Sequence, residues 1–231
     1  TFVAGVAVVI DPGHGGSESG SVGYNRLYEK NLNLAIATRV KSILEARGIS
    51  ALLTRTTDIR LPLRTRAEIA NALKPDLFIS IHHNGGAVRR QSTPGTEVFY
   101  QSGSSEARRA GGIFYEEISA GLARFSASWV GTVRNGASAR LREDGENLYG
   151  IHRYTPTIPS VITEAAYLSN RSEADLLARD DVRDAEAVAI ADAVERWLNT
   201  TDAGSGFVPE FVDSGSTGTG GTDNCTDPRL Q

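Results

Sequence analysis

The sequence contains almost no sulfur, since its 231 residues include one cysteine and no methionine. The single cysteine, Cys225, excludes an intrachain disulfide and a thiolate metal cluster, both of which need more than one thiol. Any metal ion bound by this chain must therefore be held by histidine and carboxylate side chains.

Long apolar runs and an excess of basic charge are also missing. No stretch approaches the roughly 20 apolar residues that a membrane-spanning helix needs, so we expect no membrane span. The chain has 24 Lys and Arg against 28 Asp and Glu, and residues 202–231 hold five of the acids and one of the bases. The remainder is therefore balanced, with 23 charges of each sign. Such a balance argues against nucleic acid or an anionic membrane surface as the main partner.

The composition divides the chain near residue 200. From Thr201 onward the sequence is rich in Gly, Ser, Thr and Asp, and no apolar periodicity remains, so this segment cannot form a core of its own. We therefore predict a single domain over residues 1–200, followed by a flexible acidic tail, residues 201–231, that contributes little to the fold. The hydrophobic content of 40% is sufficient for one full core.

Short apolar runs typical of buried strands alternate with segments of four-residue apolar spacing, which are typical of helices. Strands are predicted near residues 6–10, 49–54, 76–82, 96–100 and 160–163, and helices over 29–48, 62–75 and 104–122, followed by a short helix after Ser172 and a longer one that ends near Asn199. Residues 126–158 give only weak strand signals, near residues 148–151. The alternation predicts the α/β class, with a mixed, mostly parallel sheet flanked by helices on both faces.

The first candidate for chemistry follows the first predicted strand. Residues 6–10 are apolar, and Asp11-Pro12-Gly13 ends the run, because Pro12 lacks a backbone donor and Gly13 permits a positive φ. His14 thus lies in a glycine-flanked turn just past a core strand, where a rigid scaffold holds it within reach of a ligand. A solvated turn histidine is the alternative.

Three further candidates fall near the same edge of the predicted sheet. Ligands of open α/β sheets bind beyond the carboxyl ends of the strands, and His82 and Glu164 each fall at such an end. Glu29, in the first turn of a helix, can place a carboxylate beside them, although a solvated acid stabilised by the helix dipole is its alternative. His83 follows His82 directly, and neighbouring side chains on a strand face opposite ways unless a bulge intervenes. Periodicity does not choose between the two histidines.

Two histidines and one carboxylate form a known catalytic zinc set that leaves a fourth position for water. Zinc lowers the pKa of that water to about 7 and polarises a carbonyl, while a nearby glutamate takes the proton. Glu164 is the candidate for this role. No His-Glu-x-x-His helix occurs, so the site must be assembled from separated segments. His152 is interpreted as structural, and Arg55 and Asp58 as a local ion pair.

Five motifs occur in order along the chain: VVIDPGHGG, EKNLNLAIA, LLTRTTD, AEIANALKPDLFISIHHN and PSVITEAAYLSN. As an ordered set they resemble the zinc-dependent N-acetylmuramoyl-L-alanine amidases, which cleave bacterial cell-wall peptidoglycan. The resemblance covers roughly residues 5–199. It implies a zinc ion held by His14, Glu29 and His82, with Glu164 as the catalytic base, and it thereby favours His82 over His83.

The resemblance also implies a reaction and a location. The reaction is hydrolysis of the amide between the lactyl group of N-acetylmuramic acid and the L-alanine of the stem peptide. The location is outside the cytoplasm, either secreted or periplasmic, after removal of a signal peptide, and we expect a monomer.

The sequence departs from the family pattern at two places. His83 stands where a small residue is usual, which can alter substrate contacts or add a metal donor, and Ala165-Ala166-Tyr167 replaces the commoner Thr-Gly-Phe with similar volume. Neither departure removes a chemical group that the reaction needs. Two other hypotheses remain: an amidohydrolase of a different amide would differ only in its groove, and a silent wall-binding module would be expected to lack the base, which Glu164 supplies.

Overall fold

The computed structural model describes residues 5–86 and 89–213. Its helices are α1 (Glu29–Ala46), α2 (Leu63–Leu73), α3 (Ser105–Ala123), α4 (Gly150–Tyr154), α5 (Arg171–Leu177) and α6 (Asp180–Asn199). Its strands are β1 (Val8–Pro12), β2 (Ala51–Leu53), β3 (Leu77–Asn84), β4 (Arg89–Arg90), β5 (Glu97–Tyr100), β6 (Val130–Gly131), β7 (Gly136–Ser138), β8 (Arg140–Leu141), β9 (Ser160–Tyr167) and β10 (Phe211–Val212). None of these helices combines the length and apolarity needed to cross a membrane.

The central sheet is mixed and mostly parallel. In the described ranges it has six strands in the order β2-β1-β3-β9-β5-β7. The pairs β1–β2, β1–β3, β3–β9 and β5–β7 are parallel, and only β5–β9 is antiparallel. The carboxyl ends of β1, β3 and β9 therefore lie at one edge of the sheet, and the predicted α/β class is confirmed.

Helices cover both faces of the sheet, as predicted, because the central strands are apolar on both sides. One face packs against α1, α3, α5 and α6 and includes Val8, Ile10 and Ile79, which are fully buried. The other face includes Val9 and Phe78 and packs against α2 and α4. Burying one such side chain stabilises the fold by about 1.5–3 kcal/mol, so this double cover fixes the position of every strand that carries a candidate residue.

Two helix ends follow the local signals in the sequence. Gly48, just past α1, has a φ of +77°, a conformation in which a glycine ends a helix without strain. Ser104 precedes α3, and its hydroxyl accepts a hydrogen bond from the backbone nitrogen of Ala107 at 3.1 Å.

Three predictions from periodicity are corrected. Strands β3 and β9 continue to Asn84 and Tyr167, so His82 and Glu164 lie within their strands and not at the ends. The weak strand signal at residues 148–151 is wrong, because Gly150–Tyr154 forms α4, whose Ile151 packs on the face that α2 covers. A run this short does not distinguish a strand from a buried helical turn. The apolar spacing over residues 62–75 predicts that Leu63 faces the core with Ala67 and Ala70, but Leu63 is 45% exposed at the start of α2.

Residues 201–213 lie along the body of the protein, which differs from the predicted flexible tail. Phe207 bridges to Ala137 of β7 and lies under the guanidinium of Arg108, 3.7 Å from ring centroid to Cζ. Further on, β10 pairs with β8, and Asp213 forms an ion pair with Arg140. The side chains of Phe207 and Phe211 give this otherwise polar segment enough apolar surface to pack against the body of the protein. Residues 214–231, including Cys225, lie outside the described residues.

Truncation tests whether residues 204–213 stabilise the body of the protein. We expect a variant ending at Asp213 to melt close to the full chain, whereas one ending at Ala203 loses the Phe207, Phe211 and Asp213 contacts. The loss of two aromatic contacts and an ion pair is worth about 2–3 kcal/mol, which lowers the Tm by roughly 5–10 °C in a protein of this size. Calorimetry on the three proteins tests this, and equal melting of the two truncated variants would contradict it.

Candidate functional site

A tight turn after β1 presents His14 at the carboxyl edge of the sheet. The backbone nitrogen of Gly13 donates to the carbonyl of Ile81 at 3.0 Å, which ties the turn to β3. His14 itself has a φ of +59°, in the left-handed region. A Cβ atom at residue 13 would lie 2.2 Å from the ring of His82, so only glycine lets the two imidazoles approach. Their ring centroids are 4.8 Å apart.

Three of the predicted site residues meet in one cluster. Nε2 of His14 lies 3.1 Å from Oε1 of Glu29, and Nδ1 of His82 lies 3.0 Å from the same oxygen. Each side chain offers one donor atom, and these atoms all lie within 4.8 Å of one another. The segments that supply them are separated in sequence, and the parallel pairing of β1 with β3 brings them together.

The carboxylate of Glu29 is fixed from several sides. It is the first residue of α1 and is buried, and its Oε2 accepts a hydrogen bond from the backbone nitrogen of Ser21 at 2.7 Å. Oε1 accepts another from the backbone nitrogen of His83 at 3.1 Å. Burial alone would raise the pKa of Glu29, but the hydrogen bonds to His14 and His82 hold the pKa well below its ordinary value.

Glu164 lies beside this cluster, on the neighbouring strand. In the parallel ladder it is the partner of His82, and both residues line the same cleft. Its Oε2 is buried and has no hydrogen-bond partner among the described residues. Burial raises the pKa of Glu164 well above its ordinary value, and the negative charges of Glu29 and Glu97 raise it further, while Arg140 opposes them. A carboxyl group with a raised pKa beside a cluster of metal-type donors is a candidate acid or base.

Two charged residues around Glu164 were missed in the sequence. Glu97 is its antiparallel partner on β5, and burial raises the pKa of Glu97 although Asn84 and Thr132 donate hydrogen bonds to it. Arg140 lines the cleft and donates to the hydroxyl of Tyr149 at 2.8 Å. No local signal marked either residue, because β5 joins the sheet antiparallel and Arg140 lies in the segment where periodicity is weak.

Arg66 on α2 is a third residue that the sequence analysis missed. It is buried, and its Nη1 bonds to Asp11 at 2.7 Å and to the carbonyl of Pro12 at 2.8 Å. Its Nη2 donates to the carbonyl of His14 at 2.7 Å. Burial raises the pKa of Asp11, yet Arg66, with hydrogen bonds from Thr54 and Ser80, holds it below its ordinary value. The guanidinium thus satisfies the carbonyl groups that the turn leaves unpaired.

Arg55 completes this support, and its predicted ion pair with Asp58 is wrong. Its guanidinium donates to the carbonyls of Pro12 at 2.9 Å and Gly13 at 3.0 Å. Asp58 instead pairs with Lys30 at 2.6 Å. Burial lowers the pKa of Arg55 to about 10, and the nearby charge of Arg66 contributes to the shift.

The two remaining histidines point away from the cluster. His83 faces the opposite side of β3 from His82, and its side chain is buried between Asn33 and Glu186, so it is not one of the donors of the cluster. His152 is buried, and its Nδ1 lies 2.8 Å from the hydroxyl of Ser160, which fits the structural role expected for it. Burial lowers the pKa of His152 to about 3.

A cleft of about 1070 Å³ opens over the cluster and Glu164. Its walls include residues 17–21, the start of α2 and part of α4. Several cationic and aromatic side chains line it: Arg60, Arg64, Arg140, Tyr149, Arg153 and Tyr154. The fold and the site together define a class, namely a single-domain α/β protein with a His–Glu–His cluster and a separate buried carboxyl group on the neighbouring parallel strand.

Comparison with known sequences identifies the family within this class. The sequence profile of N-acetylmuramoyl-L-alanine amidases matches residues 8–196, which is most of the chain. The chain therefore belongs to the N-acetylmuramoyl-L-alanine amidase family. Among curated proteins, it is 30% identical over 224 residues to the N-acetylmuramoyl-L-alanine amidase AmiA of Salmonella typhimurium, covering 84% of this chain and 77% of AmiA.

Two solved structures share the fold. The catalytic domain of CwlV, an N-acetylmuramoyl-L-alanine amidase from Bacillus (Paenibacillus) polymyxa var. colistinus, is 33% identical with a TM-score of 0.68, over 83% of this chain and 97% of that domain. The solved structure of the N-acetylmuramoyl-L-alanine amidase AmiC2 of Nostoc punctiforme is 30% identical with a TM-score of 0.69, over 84% of this chain and 97% of the chain in that structure.

Replacing Arg66 tests whether the turn depends on its guanidinium. We expect Arg66→Met to lower the free energy of unfolding by about 3–5 kcal/mol, because Asp11 is left as a buried charge without its partner. Arg64→Met, on the exposed side of the same helix, removes only a contact with Tyr154 and should cost less than about 1 kcal/mol. Urea unfolding of both variants measures the difference, and similar losses would contradict the assigned role.

Proposed function

We propose that this protein is a zinc-dependent peptidoglycan amidase. It hydrolyses the amide bond between the lactyl group of N-acetylmuramic acid and the L-alanine of the stem peptide, with Glu164 as general base and then general acid. The observation that carries the proposal is the convergence, in one cleft, of three metal-type donors beside the Glu164 carboxyl group, whose Oε2 has no hydrogen-bond partner among the described residues. Membership of the amidase family supports the reaction.

The donor set fits zinc. Imidazole nitrogens and carboxylate oxygens are ordinary zinc ligands, and a set of two histidines and one glutamate leaves a position for the reaction. His14, Glu29 and His82 would hold the ion, since their donor atoms already lie within 4.8 Å of one another. A bound zinc ion supplies a water of lowered pKa and polarises the carbonyl that is attacked.

Glu164 carries the proton in this scheme. Its carboxylate accepts a proton from the attacking water as the new C–O bond forms at the lactyl carbonyl. The C–N bond then breaks, and the carboxyl group gives the proton to the leaving nitrogen of L-alanine. The buried Oε2, which accepts no hydrogen bond from the described residues, is available for both transfers.

The cleft walls suit a peptide that carries carboxylates. The Cζ atoms of Arg64 and Arg153 lie 4.7 and 5.9 Å from the centroid of the Tyr154 ring, and all three residues line the cleft. Stem peptides of peptidoglycan carry free carboxyl groups, which guanidinium groups bind well. Because the polymer lies outside the cytoplasm, we propose that the protein acts there, secreted or in the cell envelope, and as a monomer.

Metal analysis tests the ligand assignment. We expect the wild-type chain, purified with zinc and freed of excess, to hold about one zinc per chain and His82→Ala less than about a tenth of that, because two donors alone do not retain the ion. His83→Ala should still hold about one zinc, since the side chain of His83 is not a donor. Elemental analysis showing the reverse order for the two histidines would overturn the assignment.

Glu164→Gln tests the proton carrier. The amide has nearly the same shape but cannot accept or deliver the proton, so we expect a fall in turnover on purified peptidoglycan of about 10⁴-fold, the upper end for an acid–base group. Zinc content and Tm should stay close to wild type, whereas a purely structural carboxyl group predicts lower stability with turnover per folded molecule intact. A zinc-loaded, stable variant that keeps more than about a tenth of the turnover would remove Glu164 from the mechanism.

A further inference from the structure

A chain of buried polar side chains runs behind the cluster, on the opposite face of β3 from His82. It begins at Glu186 of α6, passes through His83 and reaches Asn33 of α1, and all three side chains are inaccessible to solvent. Nε2 of His83 lies 3.2 Å from Oε2 of Glu186, and its Nδ1 lies 2.9 Å from Oδ1 of Asn33. None of these residues has a part in the chemistry proposed above.

The direction of the hydrogen bonds follows from the groups involved. Oδ1 of Asn33 can only accept, so Nδ1 of His83 carries the hydrogen between them. This contact fixes which way the Asn33 amide faces. Its NH2 group consequently points toward the carbonyl of Gly13 at 3.3 Å and toward Oε1 of Glu29 at 3.4 Å.

Asn33 thus contacts two parts of the cluster at once. Glu29 is a member of the cluster, one turn earlier on α1, and Gly13 belongs to the turn that presents His14. The backbone nitrogen of His83 donates to the same Oε1 of Glu29 at 3.1 Å. If the buried side chains served only to join α6 to β3, the bond between His83 and Glu186 would be sufficient. The contacts of Asn33 with Glu29 and Gly13 would then have no role.

We propose that Glu186, His83 and Asn33 are positioning residues for the metal cluster. Glu186 orients the imidazole of His83, which orients the Asn33 amide, and that amide holds the carboxylate of Glu29 and the His14 turn in place for zinc. The inference rests on the proposed function, in which His14, Glu29 and His82 bind the ion. Groups that orient metal ligands typically change metal affinity by about 10- to 100-fold when they are removed.

The experiment measures two quantities on the full chain: the Kd for Zn²⁺ alone, by competition with a chromophoric chelator, and the Tm of the metal-free protein. We expect His83→Ala to raise the Kd by about 10- to 100-fold while micromolar protein still fills with zinc. The matched control is His152→Ala, which removes another buried, hydrogen-bonded imidazole. It should lower the Tm and leave the Kd within about twofold of wild type.

His83→Ala alone leaves the Glu186 carboxylate buried without a partner and is expected to be the less stable for it. The double variant His83→Ala/Glu186→Leu removes that charge and fills part of the space, so it keeps the fold while it lacks the chain. We expect its Kd to stay raised by about 10-fold or more although its Tm recovers, which separates metal positioning from stability.

A conservative variant completes the test. The side-chain NH2 of His83→Asn can occupy nearly the position of Nδ1 and donate to Asn33, so we expect its Kd to return to within about threefold of wild type, whatever its Tm. A double variant that binds zinc as tightly as wild type overturns the inference, and so does a His152→Ala variant that loses as much affinity as His83→Ala. A wild-type chain that binds no zinc overturns the proposed function itself, so the two failures are distinguishable.

Discussion

The structure of the site depends on how the carbonyl groups of the turn after β1 are satisfied. A buried turn cannot leave its carbonyls without partners, since each unpaired group costs about 1–3 kcal/mol. The buried guanidinium groups of Arg55 and Arg66 donate hydrogen bonds to the carbonyl groups of Pro12, Gly13 and His14. Because they come from the loop after β2 and from α2, they also join the turn to the elements beside it. These hydrogen bonds hold the backbone of His14 in its left-handed conformation, and this conformation determines where its imidazole lies.

Much of the fold could be predicted because the signals that specify it are local. Apolar runs marked the central strands, four-residue spacing marked α1, α3 and α6, and Ser104 and Gly48 acted as the caps their chemistry favours. The residues of the cluster could be named because the carboxyl ends of parallel strands meet at one edge. The choice of His82 over His83 could not be made from the strand pattern alone. Alternation places the two side chains on opposite faces of the sheet but does not show which face carries the site until the covering helices are known. In the structure, residues of α1 and α6 enclose the side chain of His83, whereas the side chain of His82 joins the cluster.

The residues that could not be predicted are those whose partners are distant in the sequence. Arg66 looks like a surface residue of an amphipathic helix until α2 is placed against Asp11, 55 positions earlier. Glu97 faces Glu164 only because β5 enters the sheet antiparallel. Phe207 and Phe211 lie in a segment with no periodicity, and two isolated aromatic residues carry no signal until β7 and β8 offer a surface. The average composition of this segment predicts no core, but a few apolar side chains are sufficient to dock it on the body of the protein.

The buried pair of His83 and Glu186 also constrains how this sequence can evolve. Replacing only one of the two residues leaves the other as a buried polar or charged group without a partner. Replacing both, one by an apolar residue and the other by a small residue, leaves no buried polar group to pair. A single substitution at either position is therefore disfavoured, and the two positions are expected to change together among descendants of this chain. An exchange of α6 between this protein and a relative would split the pair, so we expect the two positions to be inherited together although they lie 103 positions apart in the sequence.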